Sequence, residues 1–115
     1  MSVYSILAAD AGVTAITTAI HIGQAPQGTN PPYVVIDFIN INAENLIETV
    51  PNMEQQYLGI DCIGTDQSQS VNLYIACRDA LEPHGYMQGT RFYGQHDIET
   101  GYYQTLFDFS YWENR

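Results

Sequence analysis

Residues 24–36 read Gln24-Ala25-Pro26-Gln27-Gly28-Thr29-Asn30-Pro31-Pro32-Tyr33-Val34-Val35-Ile36. Three of the chain's five prolines fall within seven residues, and an apolar β-branched run follows them at once. Proline fixes φ, lacks an N–H donor and restricts the preceding residue to extended conformations, so this stretch cannot be helical. It predicts an extended loop that enters a strand at Tyr33.

Two short helical pieces are predicted before this loop. Ser2 can cap a helix through about Ala9, and Asp10 can cap a second turn whose apolar residues are Val13 and Ile16. A brief strand is predicted over Ile20 to Ile22. These pieces open the chain with helix and return it to an extended conformation before the prolines.

The strand after the loop is predicted over Tyr33 to Ile41. Its alternation puts Val34, Ile36 and Phe38 on one face, while the other face also carries apolar residues. We therefore expect a helix on one side of this strand and a neighbouring element or subunit on the other.

The polar segment Ala43 to Met53 is predicted to be a long hairpin arm or loop. Its apolar Leu46, Ile47 and Val50 are unusual for a loop. Apolar residues on an exposed arm often contact a partner, and packing back onto the same chain is the alternative. These three residues are candidate interface residues.

The second half predicts strand, helix and two further strands. Glu54 to Ile63 alternates as a strand antiparallel to the first, and Thr65 or Asp66 can cap the main helix, which Pro83 and Gly85 end. Strands over Tyr86 to Tyr93 and Tyr102 to Trp112 flank a polar loop from Gly94 to Gly101.

These elements predict one α+β domain over residues 1–115. We expect an antiparallel or mixed sheet of about four to five strands, with one main helix and short N-terminal helices packed on it. A chain of 115 residues, 45% of them hydrophobic, can bury one core and not two. No apolar run is long enough for a bilayer and no secretion signal is visible, which indicates a cytosolic protein without a membrane partner.

The charge balance argues against nucleic-acid binding. Thirteen acidic residues face Arg78, Arg91 and Arg115, and the chain has no lysine, which gives a formal net charge of −10. Nucleic-acid binding is mostly neutralisation of phosphates by cations. General solubility and adaptation to salt explain the charge equally well.

No catalytic, cofactor or metal site is predicted. His21, His84 and His96 are spread over three segments without the spacing of metal ligands, and the glycines and serines form no phosphate loop or nucleophile motif. Cys62 and Cys77 lie on predicted core segments, where cysteine usually acts as a small hydrophobe.

The aromatic residues are the remaining candidates for function. Without lysine or arginine beside them they do not form a stacking platform for nucleic acid, whereas tyrosine and tryptophan are enriched in protein interfaces. Candidate interface residues are Tyr102, Tyr103, Tyr111 and Trp112, for which a core position is the equal alternative.

Several of these segments together resemble the tail-completion proteins of tailed bacteriophages, also described as tail terminators or head-to-tail joining proteins. The resemblance rests on the order and spacing of segments along nearly the whole chain. These are the helix Ser2 to Ala9, the Pro-Gln-Gly-Thr loop with Pro-Tyr-Val-Val, the strand with Tyr57, Ile60, Asp61 and Cys62, the helix end Arg78-Asp79-Ala80-Leu81, and the closing strand with Phe107-Asp108-Phe109-Ser110.

The resemblance implies a structural virion protein and not an enzyme. Such proteins form a ring, usually a hexamer, that caps the head-proximal end of the tail tube and joins it to the head or neck. The implied partners are other copies of the chain, the tail-tube protein and a head-completion or neck protein. DNA is implied only as passing cargo, and the virion as the location after assembly in the host cytoplasm.

In such a ring, acidic residues facing the channel would let DNA pass without sticking. Candidate channel-facing residues are Asp66, Glu82, Asp97 and Glu99. Two alternatives stay open. A small acidic adaptor or regulatory protein would also lack an active site, and a small-molecule enzyme would need a pocket lined by His84, His96 and acidic side chains.

Overall fold

The computed structural model describes residues 2–42 and 53–114. The helices are α1 (Val3–Ala9), α2 (Ala11–Thr14) and α3 (Gln67–Leu81), and a single 3₁₀ turn (Glu82–His84) follows α3. The strands are β1 (Ile20–Ile22), β2 (Tyr33–Asn42), β3 (Met53–Gly64), β4 (Tyr86–His96) and β5 (Tyr103–Asn114). None of the helices in this part of the chain has the length and apolar content needed to cross a membrane.

The five strands form one mixed sheet in the order β1-β2-β3-β5-β4. β1 runs parallel to β2, and the β2–β3, β3–β5 and β4–β5 pairs are antiparallel. The predicted α+β class, strand number, main helix and short N-terminal helices are confirmed. The predicted antiparallel pairing of the first two long strands is confirmed as well.

Side-chain caps begin each α-helix. The Ser2 hydroxyl accepts a hydrogen bond from the Ser5 N–H at 3.3 Å, and the Asp10 carboxylate accepts one from the Val13 N–H at 3.0 Å. At α3 the cap is Asp66, whose carboxylate accepts from the Gln69 N–H at 2.7 Å. Gln69 Oε1 in turn accepts from the N–H of Thr65, the residue before the cap, at 2.8 Å, so the arrangement resembles a capping box displaced by one residue.

The core lies between the helices and one face of the sheet. Pairing places Leu58 opposite Phe109 and Ile60 opposite Phe107, on the face against which α3 packs. α1 and α2 add Val3, Leu7 and Val13 to the same core. This one layer contains the large fully buried side chains, so the fold is a helical layer on a sheet.

The predicted loop from Gly94 to Gly101 is too long. β4 continues to His96, and a tight turn follows in which the Gly101 N–H donates to the Asp97 carbonyl at 2.8 Å. Gly94 has a positive φ of 60° inside β4, where the register with β5 shifts three times. The glycine therefore marks a bulge in the strand and not the start of a loop.

A chain of buried hydroxyl groups joins α3 to three strands. Ser70 Oγ donates to the Cys62 carbonyl at 2.9 Å, and it lies 2.9 Å from Thr105 Oγ1, which accepts from the Gly94 N–H at 2.9 Å. Each hydroxyl has one proton, and that of Ser70 goes to a carbonyl that can only accept. Thr105 must therefore donate to Ser70, and every member of this hydroxyl chain is paired.

Breaking the hydroxyl chain should destabilise the fold. Ser70→Ala leaves the buried Thr105 hydroxyl proton without an acceptor, and we expect a loss of about 1–3 kcal/mol in the free energy of unfolding. Thr105→Val should cost a similar amount, and the double variant should lose less than the sum. Urea denaturation measures all three. Ser68→Ala, at an exposed position of α3, is the control, and equal losses for Ser68 and Ser70 would contradict the assignment.

Candidate functional site

The sheet face opposite the helices, the open face, is the main candidate surface. In the described residues no helix packs on it, and the pairing register assigns its side chains. Its apolar and aromatic side chains are half-buried by their neighbours: Tyr33, Val35, Tyr57, Ile63 and Leu106, with Trp112 exposed at one end. They alternate with polar residues, among them Asp37, Asp61 and Gln104. A sheet face of this composition is typical of a surface that contacts a partner.

The sequence positions with interface character lie in different places. Tyr102 is half-buried at one end of the open face, and Trp112 is 38% exposed near the other. Tyr103 is half-buried on the helical side of β5, where its ring lies 4.8 Å from that of His96. Tyr111 points to the helical side, where it is buried beside Phe109 and contributes to the core. Leu46, Ile47 and Val50 lie outside the described residues.

A small cavity lies at the end of the open face formed by the β4–β5 turn. Its volume is about 210 Å³, below the roughly 300–1,000 Å³ of pockets for small molecules. Tyrosines and polar residues line it, among them Tyr33, Asp61, Asp97, Tyr102, Tyr103 and Gln104. No arginine or histidine is among the lining residues, so its polar wall is acidic.

Asp61 is the unusual residue of this cavity. Gln104 Nε2 donates to one carboxylate oxygen at 2.8 Å, whereas the other oxygen, Oδ1, is buried and accepts no hydrogen bond. Burial raises the pKa of Asp61 to about 6, although the Gln104 bond and the Arg91 charge oppose the shift. The pKa of Tyr33 is also raised, first by burial and then by the charge of Asp61.

His21 lies on the other side of Tyr33. Their rings meet edge to face at 6.3 Å, and the His21 Nε2 atom is buried without a hydrogen-bond partner. Two groups with unused hydrogen-bonding capacity therefore flank one tyrosine on the open face. Neither could be recognised from sequence spacing, because β1, β2 and β3 bring them together.

The candidate channel residues divide between two ends of the sheet. Asp97 and Glu99 are in the β4–β5 turn, and Asp66 caps α3 at the same end. Glu82 is at the far end of the 15-residue α3, about 22 Å away along the helix axis. All four side chains are exposed.

The residues with catalytic potential do not converge. His84 follows α3 and His96 ends β4, so the eleven-residue strand β4 separates them, and the cavity holding His84 has no acidic lining residue. Cys62 and Cys77 are free and buried, and burial raises the pKa of the Cys62 thiol. Among the described residues no three His, Cys, Asp or Glu side chains are placed to hold a metal ion.

Sequence reasoning missed Asp61, Tyr33 and Gln104 as a site. The available signal was an acidic residue between Ile60 and Cys62, in the middle of a central strand. Charged residues are rarely buried unless they are paired, so such a position indicates a function or an external partner.

Replacing Asp61 should change how stability depends on pH. The folded-state pKa of about 6 lies above the 3.8 of a free aspartate, so the native state holds the extra proton and the free energy of unfolding falls as pH rises between these values. Asp61→Asn removes this fall. At pH 7.5 we expect a gain of about 1 kcal/mol, less than the full shift because the carboxyl is partly solvated.

Urea denaturation at pH 3.5 and 7.5 tests the expectation. Asp37→Asn removes the same charge from an exposed position of the same face and controls for net charge. A loss of stability at pH 7.5 that is specific to Asp61→Asn would contradict the assignment.

Comparison with known proteins identifies the family. The family model described as tail completion protein gp17 matches residues 1–113. A solved chain from the virion of a native gene transfer agent particle has a similar fold, with a TM-score of 0.66 at 17% identity over 95% of this chain and 89% of that chain. No curated protein matches the sequence. The chain therefore belongs to the tail completion protein gp17 family and is a structural component of the phage tail in the virion.

Proposed function

We propose that this chain forms a hexameric ring. The ring caps the head-proximal end of the tail tube and joins it to the head or neck. DNA passes through the ring without being bound specifically. The contacts are with other copies of the chain, with the tail-tube protein and with a head-completion or neck protein. The role is structural and not catalytic.

The observation that carries this proposal is the exposed aromatic surface of the open face and of β4. On the open face Tyr86 is 61% exposed and Trp112 38%, and on the helical side of β4 Tyr93 is 58% exposed although its ring contacts Tyr74 of α3. Large apolar side chains of this kind are concentrated in protein interfaces, where burying a few of them supplies most of the binding free energy. We therefore infer that this surface of the tail component contacts neighbouring proteins in the virion.

The two edges of the sheet support a ring in particular. β1 is a three-residue edge with Ile22 57% exposed, whereas β4 is an eleven-residue edge with aromatic side chains. Two different edges favour a head-to-tail contact, and repetition of a heterologous contact closes a ring when the rotation fits. The arm residues Leu46, Ile47 and Val50 are proposed as further contacts.

The charge supports both controlled assembly and DNA passage. Each copy carries a formal charge of −10, so isolated copies repel one another and ring formation is favoured on a tail tube that supplies additional contacts. The same charge repels DNA phosphates. The second candidate function is that of a small acidic adaptor protein. A chain that stays monomeric and does not bind tail tubes at any concentration would favour this second candidate.

Removing an exposed aromatic should weaken capping without unfolding the chain. Trp112→Ser should reduce the fraction of purified tail tubes that are capped at least tenfold, because interface anchors of this type contribute about 2 kcal/mol or more. Electron microscopy of mixtures measures capping and tube length. Ile75→Ser, 36% exposed on α3, is a control of nearly equal exposure on the helical side, against 38% for Trp112.

The native chain should yield capped tubes of fixed length in this assay. Tubes that elongate equally with and without it would overturn the terminator role, and equal capping by Trp112→Ser and the native chain would remove the open face from the interface.

A charge reversal tests whether DNA passes the acidic ends. Glu99→Lys should slow DNA ejection from assembled virions and give duplex DNA binding whose log–log salt slope steepens by about 0.9 per new phosphate contact. Glu82→Lys, at the opposite end of the sheet, is the comparison and reports which end faces the channel. Normal ejection and no salt-dependent binding for both variants would place these acids outside the channel.

A further inference from the structure

We propose that the cavity beside Asp61 binds an arginine side chain of a different virion protein, with the guanidinium between the Asp61 carboxylate and the tyrosine rings. This inference deepens the proposed function, because it states the chemistry of one contact between this chain and its neighbours in the virion.

The shape and lining of the cavity fit one basic side chain. A volume of about 210 Å³ accommodates a single residue and is too small for most cofactors. Tyr33 and Tyr102 supply aromatic walls, on which a guanidinium stacks, and Asp61 and Asp97 supply carboxylates. Arginine suits such a lining better than lysine, because its planar fork pairs with a carboxylate and stacks on a ring at once.

The hydrogen bonds of Asp61 leave capacity for a donor. Oδ2 accepts from Gln104 on β5, whereas Oδ1 is buried and accepts nothing. The charged and titratable groups around it are Tyr33 on β2, Arg91 on β4, and Asp97 and Tyr102 at the turn. A partly buried carboxylate with one unpaired oxygen is costly in isolation, and the charge of a cation held in the adjoining cavity offsets that cost.

The chain has no spare cation of its own among the described residues. Arg91 is paired with Asp108 at 3.0 Å, and Arg78 is paired with Asp79 at 3.3 Å and lies over the Tyr74 ring. The sequence has no lysine, and its remaining arginine is Arg115. With a net charge of −10, the chain complements a basic partner much better than another copy of itself.

A titration of the isolated full chain tests the cavity without a ring. The probe is N-acetyl-L-arginine amide, and NMR follows the Asp61 carboxyl and the rings of Tyr33 and Tyr102. We expect saturable shifts and a decrease in the Asp61 pKa. Asp61→Asn should weaken binding roughly fivefold or more, equivalent to about 1 kcal/mol, whereas Asp37→Asn should change it less than twofold.

Several results would overturn the inference. Equal weakening by Asp61→Asn and Asp37→Asn would indicate only the general negative field of the open face. Equal binding of N-acetyl-L-lysine amide would remove the specificity for guanidinium. Self-association that Arg115→Ala abolishes, together with loss of the Asp61 response, would assign the cavity to a second copy instead of a different protein.

The design separates this inference from the proposed function. Tyr102→Ala removes one aromatic wall outside the strands, so a folded variant with weakened probe binding supports the cavity even if Asp61→Asn behaves unexpectedly. A chain that binds the probe but never caps tubes overturns the ring and not the cavity. A chain that caps tubes without binding the probe overturns only the cavity.

Discussion

The hydrogen-bonded path from the Gly94 N–H through Thr105 and Ser70 to the Cys62 carbonyl fixes the position of α3 on the sheet. It joins the first turns of α3 to β3, β5 and β4, and both hydroxyl groups are fully buried. Apolar packing favours burial without dictating direction, whereas each bond of this path has one donor and one acceptor. The path therefore helps to set which sheet face the helix covers, and it leaves the opposite face for external contacts.

The two faces of the sheet differ in their effect on stability. The helical side encloses Phe107, Phe109, Leu58 and Ile60 and accounts for most of the apolar burial. The open side holds a carboxylate whose burial raises its pKa and two polar atoms without partners. Features that lower the stability of an isolated chain tend to concentrate where a protein functions, and here they concentrate on the face that the helices leave open.

Much of the fold follows from local sequence rules. The caps at Ser2 and Asp10, the strand entered at Tyr33 and the alternation of β3 and β5 all obey short-range preferences, and the structure confirms them. Gly94 misled the prediction, because a positive φ serves a bulge as well as a loop. The cavity was not predictable in the same way. Tyr33, Asp61 and Gln104 come from three strands, and only the register across β2, β3 and β5 brings them together.

The irregular edge strand β4 also limits how two copies of the chain can pair edge to edge. β4 departs from regular pairing with β5 between Met87 and Gly89, between Thr90 and Phe92, and between Phe92 and Gln95. Bulged edges present their free amide and carbonyl groups out of line, so one copy cannot template a continuous ladder on the next. The strand can therefore display aromatic side chains without offering a regular edge for fibril growth.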